Sequence, residues 1–146
     1  MTAGPFQVPA PSPAQLNGTI QAQIIDSGGT PNDVINENDK WSVELDWQLT
    51  GTLVPLIAGT WNVRLSIDQI GGPNDFSFPL AGPDNVPVTP ANGVYKHTID
   101  VPGGTLKGAV GGNNYTVIAS LGYTTPANTP GPMGGYVNCG VVSVTL

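Results

Sequence analysis

The sequence predicts an all-β domain: a single antiparallel β-sandwich of seven to eight strands, preceded by a proline-rich extended segment. Three observations predict it. Apolar and polar residues alternate over several runs, 20 glycines and 15 prolines separate those runs, and no window has the apolar spacing of an amphipathic helix. A chain of 146 residues fits one domain that is long enough to close a core.

The clearest alternation lies in two neighbouring runs, 41–50 and 61–67, which hold all three tryptophans. Trp41, Trp47 and Trp61 have the parity of the aliphatic residues around them, so we expect them in the core. The connection between the runs carries four aliphatic residues, Leu53, Val54, Leu56 and Ile57. Loops are usually polar, so these residues are expected either to contact another protein or to fold under and close the end of the core.

The other predicted elements follow in order. Residues 1–16 form the proline-rich segment, whose composition favours extended structure without packing of its own, and residues 17–146 form the sandwich. We expect the segment to be a solvated tail, the alternative being that it lies against its own domain or a neighbouring chain. The stretch 124–135 is rich in proline and glycine, which predicts a long connection, and Asn138-Cys139-Gly140 indicates a β-bulge. Further strands are predicted at 19–25, 76–80, 86–88, 95–101, 115–123 and 142–146.

This pattern resembles the immunoglobulin-like and fibronectin-type modules of bacterial surface and phage proteins. The tryptophan-bearing central hairpin and the run YTVIASLGY at 115–123 carry the resemblance. It implies that 115–123 is the penultimate strand and that Tyr115 takes the place of the tyrosine corner. The cysteine pair of antibody domains is absent, and such folds imply binding, spacing or assembly rather than one function.

Charge limits the classes of partner. The net charge is −6 and the cations are Lys40, Arg64, Lys96 and Lys107, too few to neutralise a run of phosphates, so nucleic acid is not an expected partner. No stretch is long and apolar enough for membrane insertion, and the N-terminus lacks the pattern of a signal peptide. Location is therefore open, with a surface or particle-associated place slightly favoured. Cys139 is a lone cysteine, which leaves the redox compartment open.

The residues offer little for catalysis. His97 is the only histidine, and its parity indicates a half-buried strand residue. Glu44 and Asp46 are outward carboxylates on one strand, which is ordinary for a half-exposed sheet. The chain is therefore predicted not to be an enzyme and to need no cofactor. Asp33, Glu37 and Asp39 are weak candidates for a Ca²⁺ site, because they lack the order of a known calcium loop.

We therefore predict a non-enzymatic structural or interaction subunit, a building block or decoration module of a filament, surface layer or virus-like particle. In an immunoglobulin-like topology the aliphatic connection, the 124–135 connection and the exit of the N-terminal segment meet at one end, and the acidic loops meet at the other. The partner is expected to be a protein, either copies of this chain or a scaffold. The alternative is a carbohydrate-binding module that stacks sugars on Tyr123 and Tyr136. The residues expected to bind the protein partner are Leu53, Val54, Leu56, Ile57, Pro130, Met133, Phe6 and Val8.

Overall fold

A computed structural model describes residues 1–9, 12–89 and 93–146. Within these ranges the chain forms eleven strands and one 3₁₀ turn, Val54–Leu56, and it contains no helix long and apolar enough to cross a membrane. The strands are β1 Thr2–Gly4, β2 Phe6–Gln7, β3 Asn17–Ile25, β4 Val34–Asn36, β5 Trp41–Thr50, β6 Thr60–Gln69, β7 Asp75–Phe78, β8 Asp84–Pro87, β9 Val94–Val101, β10 Asn113–Thr124 and β11 Pro130–Thr145.

The strands form two sheets with their buried faces toward a shared core. Sheet 1 has the order β1-β3-β5-β9, and sheet 2 has the order β2-β11-β10-β6-β7. Beside these, β4 pairs with β11 in parallel and β8 pairs with β6. Strands β3, β5 and β9 thus take the A, B and E places of an immunoglobulin-like sandwich, and β6, β10 and β11 take the C, F and G places. The predicted all-β sandwich is confirmed. The predicted number of seven to eight strands was lower than the eleven observed in the described residues, because β1, β2 and β4 are too short to show alternation.

The tryptophans lie in the core, as the alternation predicts, and none is more than 3% exposed. Trp61 is the centre of an aromatic cluster. Its ring lies 5.5–6.1 Å from the rings of Phe6, Trp47, Tyr95 and Tyr123. Most of these pairs meet edge to face, the geometry that the ring quadrupoles favour. The cluster joins β2 to the long central strands of both sheets.

Two local predictions on β10 and β11 agree with the structure. The hydroxyl of the buried Tyr115 donates a hydrogen bond of 2.8 Å to the carbonyl oxygen of Lys107, which is the contact of a tyrosine corner. The β10–β11 register shifts where Val117 faces Gly140 and Ile118 faces Asn138, so Cys139 is the extra residue of a bulge. Gly140 there has φ 93°, a left-handed conformation that favours glycine.

The expectation of an unpacked N-terminal segment was wrong for the part that the structure describes. Thr2–Gly4 pairs with Ile20–Ala22 of β3, and Phe6–Gln7 pairs with Gly134–Gly135 of β11. Pro5, which has no N–H to donate, lies between these two short ladders. The segment therefore covers one edge of each sheet. Pro11 lies outside the described residues.

The prediction of a long connection at 124–135 was also wrong. Strand β10 continues to Thr124 and β11 begins at Pro130, so the connection is a short turn. Gly134 and Gly135 lie within β11, where a Cβ would crowd the backbone of Leu121 and of Pro5 respectively. Glycine is therefore needed because neighbouring strands approach closely, and its presence does not mark a loop.

Candidate interaction surfaces

The loop end of the sandwich consists of residues 51–59 together with the segments that fix them. Leu53 donates its backbone N–H to Gln15 at 2.9 Å, and the N–H of Val88 binds the carbonyl oxygen of Gly59 at 3.0 Å. The hydroxyl of Tyr123 binds the carbonyl oxygen of Ala58. The structure thus brings together the start of β3, the connection 51–59 and the β10–β11 hairpin at one end, the neighbourhood that an immunoglobulin-like topology implies.

The side chains of the loop end divide between core and solvent. Val54 is 9% exposed and Met133 is 6% exposed, so both pack into the core and are not accessible to a partner in this structure. Leu53 and Ile57 are half-buried against the core, and Pro130 is exposed. Leu56 is 77% exposed. The 3₁₀ turn explains the division, because it points Val54 inward and Leu56 outward. The connection therefore closes the core and also presents one leucine to solvent.

The N-terminal residues that were expected to contact a partner lie instead against their own domain. Phe6 packs edge-on against Trp61, with ring centroids 6.1 Å apart, and Val8 is half-buried against the core. Phe6 fits because Gly18 lies beside it: a Cβ at Gly18 would overlap the Phe6 ring. The part of the segment that the structure describes is thus an integral part of the sandwich, at one edge of each sheet.

The opposite end is not simply acidic, which corrects the expected division between an apolar and an acidic end. Several exposed aliphatic residues lie there or next to it, on β4, in two turns and at the last residue of the chain. Backbone contacts bring these segments together: β4 pairs with Ser143–Thr145, and Ala109 bridges to Thr145. The exposed side chains are those of Val34, Ile70, Val110 and Leu146.

The acidic loops contain no cluster of three or more metal-binding side chains within residues 1–9, 12–89 and 93–146. Glu37 lies 3.8 Å from the Lys107 ammonium group. The Asp26 carboxylate accepts backbone N–H groups of Thr30 at 2.9 Å and Gly28 at 3.0 Å. Hydrogen bonds from Thr30, Asn32 and Gly28 hold the pKa of Asp26 below its ordinary value. Glu37 therefore pairs with a lysine, and Asp26 closes a turn.

The structure does not bring Cys139 and His97 together. His97 lies on β9, an outer strand of sheet 1, and its Nε2 is 2.7 Å from Asp84 Oδ2 on β8. Cys139 lies by Met1, Thr2 and Ile24, at the opposite edge. Burial raises the pKa of the Cys139 thiol to about 11, so the thiol is protonated at neutral pH. A Cys–His pair for nucleophilic chemistry does not form.

A polar groove, which the sequence pattern does not indicate, crosses the outer face of sheet 1. The register places Ala3, Gln21, Asp46 and Lys96 in one row across the four strands. The next row holds Thr19, Gln48 and Val94. These seven residues line a cavity of about 360 Å³, which we call the sheet 1 groove. In the sequence they are ordinary outward residues of alternating strands, so nothing in the pattern marks them as a site.

Charges at this groove are unevenly paired. The Lys96 ammonium group lies 2.9 Å from Glu44 Oε1, a diagonal neighbour, although Asp46 faces Lys96 directly across the ladder. Asp46 Oδ1 is shielded from solvent and has no hydrogen-bond partner among the described residues. Desolvation, with the charge of Glu44 adding to it and Lys96 opposing it, raises the pKa of the Asp46 carboxyl above its ordinary value.

The two tyrosines expected to stack sugars differ in accessibility. Tyr123 packs against Trp61 with ring centroids 5.6 Å apart, so it belongs to the aromatic cluster. Tyr136 is 52% exposed on the outer face of sheet 2, in a row with Ser120 and Arg64. Tyr123 and Tyr136 therefore do not form a shared surface on which a sugar could stack.

Comparisons with known proteins support the fold. No protein-family model matches the chain, and no curated protein is significantly similar to it in sequence. Among solved structures, the C-terminal domain of wzt aligns with a TM-score of 0.64 and 13% identity, over 98% of this chain and 78% of that one. A structural-genomics target, SoR45, aligns with a TM-score of 0.34 and 10% identity, over 90% and 87% of the two chains, a likeness too weak to support an argument. At 13% identity the first likeness concerns the fold alone.

Proposed function

We propose that the chain is a non-enzymatic β-sandwich module that contacts a neighbouring protein in a larger assembly through its loop end. Leu56 carries the proposal. It is 77% exposed on a turn whose flanking residues are hydrogen-bonded to other segments, so the backbone that carries this side chain is held in place. A turn whose backbone is already ordered loses little conformational entropy on binding.

The composition of the loop end supports the same proposal. Residues 51–59, 86–89 and 123–135 include no Asp, Glu, Lys or Arg, although the chain has a net charge of −6. Centres of protein interfaces are depleted in charged residues, because burying an unpaired charge is costly. The half-buried Leu53 and Ile57 and the exposed Pro130 extend the uncharged surface around Leu56.

Leu56→Ser tests the proposal, with Leu80→Ser as the matched control, because Leu80 is also 77% exposed but lies between β7 and β8. Analytical ultracentrifugation at two protein concentrations measures association. We expect the native chain and Leu80→Ser to associate as concentration rises and Leu56→Ser to associate at least about tenfold more weakly. Both variants should melt within a few degrees of the native chain, since both side chains are at the surface.

Two outcomes would contradict the proposal in different ways. A native chain that stays monomeric at both concentrations would rule out copies of itself as the partner and leave a different protein. Equal association of the two serine variants would show that the contact lies away from the loop end.

A further inference from the structure

The sheet 1 groove has the dimensions of a ligand site. Its first row, Ala3–Gln21–Asp46–Lys96, spans all four strands of the sheet, roughly 14 Å at the usual spacing between strands. The cavity of about 360 Å³ falls in the range of small-molecule sites. We propose that this groove binds a neutral carbohydrate, with Gln21, Asp46 and Gln48 as its main hydrogen-bonding groups.

Asp46 is the first reason. A carboxylate with one shielded oxygen that lacks a donor is costly, and its ladder neighbour Lys96 is engaged by Glu44 instead. A β-branched residue such as threonine would suit this position on a central strand better. Residues that lower stability without a structural return are characteristic of binding sites. Oδ1 is shielded, so a hydroxyl group of a ligand would donate to the other oxygen of this carboxylate, Oδ2.

The other groups of the groove fit hydroxyl groups rather than ions. Gln21 and Gln48 each offer an amide that both donates and accepts, and Thr19 offers a hydroxyl. Glu44, Asp46 and Lys96 together carry a charge of −1, which disfavours phosphates and acidic sugars. Val94, exposed on the second row, gives the groove an aliphatic side for the C–H face of a sugar ring. Alternating donors and acceptors beside one apolar side chain match a polyhydroxylated ring.

NMR titration of the full chain tests this inference. Maltose, cellobiose, lactose and N,N′-diacetylchitobiose are each added at millimolar concentration, and spermidine serves as a cationic probe. We expect at least one disaccharide to cause saturable shifts concentrated on the backbone amides of residues 19–21, 46–48 and 94–96. Spermidine is expected to cause none there.

Two matched variants locate the site. Gln21 and Gln23 are the same residue type on the same face of β3, but Gln21 lines the groove and Gln23 does not. We expect Gln21→Ala to weaken disaccharide binding about tenfold and Gln23→Ala to leave it unchanged. Asp46→Asn keeps the shape and removes the charged acceptor, so it should weaken binding by at least as much.

Three results would overturn the inference. The first is the absence of saturable shifts with every disaccharide, and the second is binding of spermidine in place of sugars. The third is an equal effect of Gln21→Ala and Gln23→Ala, which would show that the groove is not where the sugar binds. None of these results depends on Leu56, so the groove and the loop end are tested separately.

Discussion

At the scale of single residues, Asp46 is an outward side chain whose environment fits its chemistry poorly. Outward carboxylates on a strand normally face water, yet Asp46 has one shielded oxygen and an acidic neighbour at Glu44. Lys96 offsets the negative charge of Asp46 only in part, because its ammonium group is bonded to Glu44. The same contact with Glu44 raises the pKa of Lys96. The groove therefore holds one satisfied ion pair and one unsatisfied acid.

Asp46→Asn is predicted to stabilise the chain at neutral pH. The pKa of Asp46 is raised in the folded state, so the folded protein holds the proton more tightly than the unfolded protein does. The charged Asp46 carboxylate therefore lowers the free energy of unfolding at pH values above its pKa in the folded state. This loss of stability disappears once the pH falls below its pKa in the unfolded state. Denaturant unfolding should give a stability gain for the variant that is largest near pH 7 and shrinks toward zero as pH falls through the carboxyl range.

Thr98→Val is the control for that pH profile. Thr98 lies on the same outer face, opposite Glu44, and has no titratable group. Its effect on stability should not vary across the same pH range. A stability difference for Asp46→Asn that is independent of pH would show that the Asp46 carboxyl is not perturbed in the folded chain.

At the scale of elements, strands with regular alternation could be predicted and short or glycine-rich strands could not. Strands β5 and β6 and the second half of β11 show a clear period of two, because one of their faces is buried. Strands β1 and β2 have three and two residues, too few for any period. The first half of β11 reads PGPMGG, a composition typical of a loop. It is nevertheless a strand, and Gly134 and Gly135 are there because neighbouring backbone leaves no room for a Cβ.

Of the two candidate surfaces, the loop end could be predicted in part from the sequence and the sheet 1 groove could not. The aliphatic connection 51–59 was recognisable from composition, but which leucine faces solvent depends on the 3₁₀ turn, which fixes Val54 inward and Leu56 outward. The sheet 1 groove depends on the register of four strands that are distant in sequence. Only the paired strands place Ala3 beside Gln21 and Gln21 beside Asp46.

Gly4→Ala is predicted to destabilise the attachment of β1. A Cβ at Gly4 would overlap the carbonyl oxygen of Tyr136, and a backbone atom cannot move aside as a side chain does. We expect a loss of about 1–3 kcal/mol in the free energy of unfolding, together with faster hydrogen exchange at residues 20–22.

Gly122→Ala is the matched control for Gly4→Ala. Gly122 also lies in a strand, and the nearest atom to its added Cβ is 3.8 Å away, so the methyl group fits. This variant should be neutral or slightly stabilising, because alanine restricts the unfolded chain more than glycine does. Equal stability of the two variants would mean that β1 does not approach β11 as closely as the structure shows.

At the scale of the whole molecule, the sandwich is closed along both sides by contacts between the sheets. On one side, residues 1–7 pair first with β3 of sheet 1 and then with β11 of sheet 2. On the other side, His97 of sheet 1 lies 2.7 Å from Asp84 of sheet 2. Exposed strand edges invite pairing with other chains, so the pairing of residues 1–7 also limits uncontrolled association.

Removal of residues 1–7 is therefore predicted to cause association as well as loss of stability. The deletion uncovers the unpaired backbone groups of β3 and β11 and the face of Trp61 that Phe6 covers. Phe6→Ala separates the two effects, because it keeps both ladders and removes only the ring. We expect that variant to lose about 1–2 kcal/mol of stability and to associate like the native chain. The deleted chain should melt at a lower temperature and scatter more light as concentration rises. A deleted chain that melts like the native protein and shows no added association would mean that the N-terminal segment does not protect these edges.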